Sequence, residues 1–236
     1  MAKVTPREIQ TSKSQHRKLS MLTAYDYSFA KILDEAGLDM ILVGDSLGNV
    51  VMGDDNTHGV TMADMVHHTK AVCRGVERAL VVADMPFGAM KNPVENAQAL
   101  ISAGAEAVKV EGMVIVGIKE IVALGIPVMG HLGLLPQTAI EYKKQKSPEI
   151  VEQAKALEQA GVFAIVLEMV PDDLAAEVTK SVKVPTIGCG AGDKCDGKVV
   201  VLYDLLGLYP KAPSFVKKQA DLQSIITQAV KKFMLE

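Results

Sequence analysis

The stretch MILVGDSLGNV, Met40 to Val50, runs four apolar residues into Gly44 and then delivers Asp45 and Ser46. The same pattern recurs along the chain. LVVAD ends in Asp84, AVKVE carries Lys109 and ends in Glu111, IPVMGH ends in His131, and AIVLE ends in Glu168. A single acid after an apolar run is usually a turn or cap residue. Four acids with a Lys and a His, each at such a tip, point to a shared chemical site. Carboxylates crowded together repel unless a cation or shared protons compensate them.

A hard divalent cation is the natural compensation. Asp45, Asp84 and Glu111 are oxygen donors with no Cys or His set of metal-ligand spacing beside them, which suits Mg²⁺ better than Zn²⁺. Mg²⁺ uses one or two carboxylates and keeps waters or substrate oxygens, so an α-keto acid could complete its shell while its carbonyl is polarised toward an enolate. Lys109 shares a strand face with Glu111, two residues on. It reads as an ion-pair partner, as a clamp for a substrate carboxylate, or as a Schiff-base lysine. Glu168, followed by Met169, Val170 and Pro171, reads as a general base, or as an acid serving the next helix. His131 reads as a polar site contact. His67 and His68 fall in a helix pattern, and His16 and His58 in loops.

These tips need elements to position them. Apolar runs of strand length cover Leu19–Ala24, Met40–Gly44, Ala79–Ala83, Ala105–Val110, Pro127–Gly130, Phe163–Leu167, Pro185–Gly188 and Val199–Leu202. Amphipathic segments separate them: Asp26–Ala36, Thr61–Cys73, Pro93–Ala103, Val114–Ala123, Pro148–Ala160 and Asp172–Ser181, with Val216–Phe233 closing the chain. Thr61 and Asp64 form a capping-box pattern. EAGLDMILVGD, SAGAEAVKVEG, ALGIPVMGH and QAGVFAIVLEM share one logic: a helix ends, a Gly caps it, and an apolar strand begins. The pattern predicts a (β/α)₈ barrel over residues 1–236 as one domain, with a polar N-terminal extension and a C-terminal helix. An open doubly wound sheet is the competing architecture, but no GxGxxG opens the first strand–helix turn.

Composition narrows the function. Hydrophobic residues make up 49% of the chain, aromatics only 4%, and Trp is absent, so the core must be aliphatic. A net charge of −3 with a pI near 6.0 gives no electrostatic case for nucleic acid. Three unevenly spaced cysteines, an N-terminus without a signal-peptide core and no apolar run of membrane-spanning length lead to the expectation of a cytoplasmic protein.

The motifs TAYDYSFAKILDEAG, ILVGDSLGNVVMG, VTMADMVHHTKAVCRG, ADMPFG, AVKVEG, IPVMGHLGLLPQ, FAIVLEMVP and IGCGAG…CDGKVVVLYDLLGL occur in that order. Together they resemble the ketopantoate hydroxymethyltransferase family, from about Ser20 to Leu222. The resemblance implies a barrel of the phosphoenolpyruvate-mutase-like superfamily. It implies transfer of a one-carbon unit from 5,10-methylenetetrahydrofolate to 3-methyl-2-oxobutanoate, giving 2-dehydropantoate for pantothenate biosynthesis. Carried over by motif, Asp45, Asp84 and Glu111 hold Mg²⁺. Asp45, Ser46, Asp84 and Lys109 contact the keto acid, and Glu168 accepts the proton. It also implies a homo-oligomer, a decamer of barrels. The segment IEYKKQKSPEI after Gln137 is shorter than the family pattern and lacks its glycines. Tyr203 stands where His is common, and LEMVP replaces LECVP. A related Mg²⁺-enolate barrel (a C–C lyase or phosphonate mutase) and a barrel that binds a metabolite without turnover are the competing readings.

Overall fold

The computed structural model describes residues 2–139 and 143–236. Eight parallel strands close in sequence order: β1 Leu19–Thr23, β2 Met40–Val43, β3 Leu80–Asp84, β4 Ala107–Glu111, β5 Val128–Gly133, β6 Ala164–Glu168, β7 Thr186–Cys189 and β8 Gly197–Val200. β1 pairs with both β2 and β8, which excludes the open sheet. The outer helices are α2 Tyr27–Glu35, α3 Met62–Cys73, α4 Pro93–Ser102, α5 Ile115–Ala123, α6 Ile150–Ala160 and α7 Asp172–Ser181. They follow the amphipathic segments within one or two residues. The expected capping box is present, with Thr61 Oγ1 accepting from Asp64 N and Asp64 Oδ2 accepting from Thr61 N. Gly37, Gly104, Gly125 and Gly161 adopt φ between 76° and 110°, the left-handed exit expected after α2, α4, α5 and α6.

Strand periodicity divides the core in two. Met40, Leu42, Leu80, Val82, Ala107, Met129, Ala164, Val166, Ile187 and Val199 fill the barrel interior. Their alternate neighbours, including Ile41, Val43, Val81, Ala83, Val108, Val110, Ile165 and Leu167, pack outward against the helices. With Trp absent, methionines and aliphatic residues supply the interior layers.

The N-terminal segment is more than a polar extension. It forms α1, Pro6–Ser14, with Pro6 in the first turn and a capping box between Thr5 and Glu8. Val4 and Ile9 join the barrel interior, so the segment closes the end of the barrel opposite the strand tips. At the other terminus the helix is shorter than its pattern. α8 is a single turn, Leu202–Leu205, and α9 spans Leu222–Phe233 with none of its residues buried.

Candidate active site

The interior face of each strand continues to its tip. Asp84 lies two residues beyond Val82, Lys109 and Glu111 two and four beyond Ala107, His131 two beyond Met129, and Glu168 two beyond Val166. All therefore point to the barrel axis at its C-terminal end. The register then pairs them, Asp84 beside Lys109, Glu111 beside His131, and Glu168 beside Cys189. A cavity of about 500 Å³ opens there, and Asp45, Ser46, Asp84, Lys109, Glu111, His131 and Glu168 all line it. Every site residue anticipated in the sequence is thus at one mouth. Gly44 serves here by its size: a Cβ would come within 2.9 Å of Ser46 Oγ.

Lys109 Nζ donates to Asp84 Oδ1 in a buried ion pair. Burial alone would depress its pKa, but Asp84, Glu111 and Asp45 outweigh burial and hold it charged. Burial pushes Asp84 up against the pull of Lys109. Burial first, then the charge of Asp84, push Asp45 up to about 7. Glu111 is instead held below the usual carboxylate range, because His131, Lys109 and the Gln137 N–H outweigh its burial. His131 is nearly inaccessible, with Glu111 Oε1 and Glu168 Oε2 each 3.3 Å from its two ring nitrogens. Neither approach has hydrogen-bond geometry, so the contacts are ionic. Burial and Lys109 lower the His131 pKa, yet the two glutamates prevail and lift it to about 9. The imidazolium links the Glu111 side of the site to Glu168. Ser46 Oγ lies 2.8 Å from Tyr25 Oη.

Glu168 is held by backbone constraints on both sides. Met169 has φ 52°, an uncommon conformation for a non-glycine residue. Its N–H donates to Cys189 O at 2.8 Å, and the Leu134 N–H donates to Glu168 O, also at 2.8 Å. Gly133 has φ 95°, and a Cβ on it would lie 2.2 Å from Glu168 O.

Two residues of the site were not anticipated. Gln137 Nε2 donates to Asp45 Oδ2 at 2.7 Å and to Met85 O at 2.9 Å, while its backbone N–H donates to Glu111 Oε2 at 3.2 Å. It braces two of the three acids expected to hold a metal. Asp204, on α8, also lines the cavity, and burial raises its pKa to about 6. The remaining histidines lie outside the cavity lining, with His68 Nδ1 2.7 Å from Tyr25 O and His58 stacked on Phe87. The segment after Ala139 that departs from the family pattern includes Ile140, Glu141 and Tyr142, which lie outside the described residues.

Among the described residues no three His, Cys, Asp or Glu side chains form a ready-made metal cage. Asp84 is engaged by Lys109, and Asp45 by Gln137. The donor set still suits a hard cation, since Mg²⁺ needs only one or two carboxylates and takes its other oxygens from water or ligand. Asp45, Asp84 and Glu111 all present carboxylate oxygens at this one mouth.

The family model described as ketopantoate hydroxymethyltransferase matches residues 3–236. The chain belongs to this family. It is 51% identical over 250 aligned residues to the 3-methyl-2-oxobutanoate hydroxymethyltransferase of Ignicoccus hospitalis, covering 100% of this chain and 95% of that protein. The corresponding enzyme of Caldicellulosiruptor saccharolyticus is 50% identical over 251 residues, with 100% and 95% covered. The family identifies the chain as a hydroxymethyltransferase of pantothenate biosynthesis. Among solved structures, a 2,3-dimethylmalate lyase of the PEP mutase/isocitrate lyase superfamily superposes with a TM-score of 0.71 at 14% identity, covering 100% of this chain and 86% of its own. Phosphonopyruvate hydrolase, solved with oxalate and Mg²⁺, superposes with a TM-score of 0.68 at 16% identity, both chains fully covered. These structural likenesses show the barrel fold and leave the chemistry to the site.

Proposed function

We propose that the chain transfers a hydroxymethyl group from 5,10-methylenetetrahydrofolate to 3-methyl-2-oxobutanoate, giving 2-dehydropantoate. The observation that carries this reading is the gathering of a candidate base, two cationic side chains and three further carboxylates around one cavity. Asp45, Asp84 and Glu111 are the residues that would hold Mg²⁺. When bound, the cation supplies Lewis-acid polarisation of the keto acid's carbonyl and so favours the enolate. Phosphonopyruvate hydrolase, a protein of the same fold, is solved with oxalate and Mg²⁺, which supports a cation-assisted reading in general.

The side chains of the chain do the rest. Lys109 and His131, both held charged, attract and orient the keto acid's carboxylate, with Ser46 alongside. Glu168 removes the proton from carbon 3. Carbon 3 then attacks the methylene of the folate and a C–C bond forms as the bond to one folate nitrogen breaks. Water displaces the second nitrogen and becomes the hydroxyl, and the two freed nitrogens take up the proton held by Glu168 and the one released by water. Gln137 keeps the Asp45 carboxylate aimed into the cavity. A C–C lyase or phosphonate mutase would use similar carboxylates, but the family match sets those readings well behind. The test is exchange of the carbon-3 proton of 3-methyl-2-oxobutanoate in deuterated water with Mg²⁺, followed by addition of methylenetetrahydrofolate. Glu168→Gln should abolish both exchange and product. Unchanged exchange in that variant would remove Glu168 from the base role.

We also propose a homo-oligomer, of which a decamer is the family's form. The exposed Ile225, Ile226, Val230 and Phe233 on α9 support assembly, and sedimentation would measure it.

A further inference from the structure

The cavity lining includes a buried acid that neither a keto acid nor a cation accounts for. Asp204 is 4% exposed, and its Oδ1 has no hydrogen-bond partner among the described residues. A buried carboxylate oxygen without a donor is unfavourable, and an orphan of this kind needs a reason. Capping is the usual structural reason for an acid in a first helical turn, yet α8 has no side-chain cap, and the Leu202 N–H donates to Thr23 Oγ1 at 2.9 Å instead. The Tyr25 hydroxyl, which feels the Asp204 charge, bonds Ser46 rather than Asp204. Lys218 influences the carboxyl electrostatically, but no ion pair joins them among the described residues.

The surroundings of Asp204 define a ligand shape. Val199, Val200, Val201, Phe215 and Val216 line the cavity together with Asp204. Asp204, Glu168 and Cys189 all line this cavity, and the charges of both carboxylates reach the Cys189 thiol. The cavity of about 500 Å³ exceeds what a small keto acid fills. An orphan carboxylate with valines and a phenylalanine in the same cavity lining suits a flat heterocycle with adjacent N–H donors on one edge.

We propose that Asp204 binds the pterin of the one-carbon carrier, accepting paired hydrogen bonds from its 2-amino group and the neighbouring ring N–H. A carboxylate receives such an amidine-like edge in a two-pronged arrangement, much as it receives a guanidinium. The inference rests on the folate reading above and assigns the carrier a subsite along β8 and α8. The pterin ring then stands against the valines and Phe215, with its one-carbon unit toward Glu168.

The test separates the two half-sites. In Asp204→Asn the amide nitrogen opposes the pterin donors, and in Asp204→Ala the acceptor is gone. Both should raise the KM for methylenetetrahydrofolate about tenfold to a hundredfold, the range for loss of charge-assisted hydrogen bonds. Folate-independent exchange of the keto acid's carbon-3 proton should proceed at the parental rate, which also shows that each variant is folded. A 2-desamino carrier analogue should bind the parent more weakly by a similar factor and should lose nothing further in either variant. An unchanged folate KM would overturn the proposal, as would exchange falling in parallel with folate binding. A parent that exchanges the proton but makes no product with the carrier would overturn the folate reading, and the proposal with it.

Discussion

Replacing Asp204 by Asn should make the protein more stable, and the gain should depend on pH in a defined direction. Burial lifts the Asp204 carboxyl from 3.8 to about 6, against the partial relief of Lys218. The folded state therefore holds this proton more tightly than the unfolded chain. The parent's stability falls as pH rises from about 4 through about 6 and stays lowered above that. A shift of about two pH units corresponds to roughly 3 kcal/mol, and solvent at the cavity mouth screens it to about half. For a chain of this size that is a rise in Tm of about 3–6 °C at pH 8. The other groups facing Asp204 do not confuse the window. Burial keeps the Tyr25 hydroxyl and the Cys189 thiol protonated well beyond it. Metal-free urea titrations of parent and variant at pH 4.5 and pH 8 would measure the difference. A gain of equal size at both pH values, or a loss at pH 8, would refute the buried, unpaired carboxylate. A gain at pH 8 together with a raised folate KM would show a group kept for binding at the expense of stability.

Three further outcomes follow from the geometry. Lys109→Met strips Asp84 of its cation and should destabilise the metal-free protein by about 3–5 kcal/mol. Added Mg²⁺ should raise its Tm more than the parent's, and a variant melting like the parent without metal would show that the ion pair has no such role. Gln137→Ala removes the brace on Asp45 and should weaken Mn²⁺ or Mg²⁺ binding about 10- to 100-fold by calorimetry, with unchanged affinity counting against it. Gly133→Ala sets a Cβ against Glu168 O and should displace the base, measured as lost carbon-3 exchange in whatever protein folds; parental exchange would contradict the close approach.

The barrel and most of its mouth were legible because both depend on strand parity. Once Val82, Ala107, Met129 and Val166 are assigned to the interior, Asp84, Lys109, Glu111, His131 and Glu168 must share that face. Closure in sequence order then brings the tips together. α1 was legible in principle, since Thr5-Pro6-Arg7-Glu8 is a capping box with a proline start, but its polar residues masked the two apolar anchors, Val4 and Ile9. Gln137 and Asp204 carry no comparable local signal. Gln137 lies beyond the end of β5, where no period fixes its direction, and its contact to Asp45 spans 92 residues. Asp204 reads locally as an ordinary first-turn helix acid, and its missing partner is a property of the folded cavity alone.

The segment from His131 to Gln137 joins what would otherwise be two separate half-sites. His131 contacts Glu111 through one nitrogen and Glu168 through the other. Two residues on, Gly133 gives room to the Glu168 carbonyl, and the Leu134 N–H donates to it. Three residues later, Gln137 binds Glu111 by its backbone and Asp45 by its side chain. The acids suited to a cation and the acid suited to proton abstraction thus sit on different strands but are oriented from one short stretch. Proton abstraction depends on the distance between the base and the polarised carbonyl, and misplacement by about 1 Å can cost on the order of a hundredfold in rate. Placing both anchors on one stretch couples their positions, so a shift that moves the cation's carboxylates also moves the base. For this reason metal affinity and carbon-3 exchange should fall together in variants of this stretch, whereas changes at Asp204 should leave both intact and act on the carrier alone.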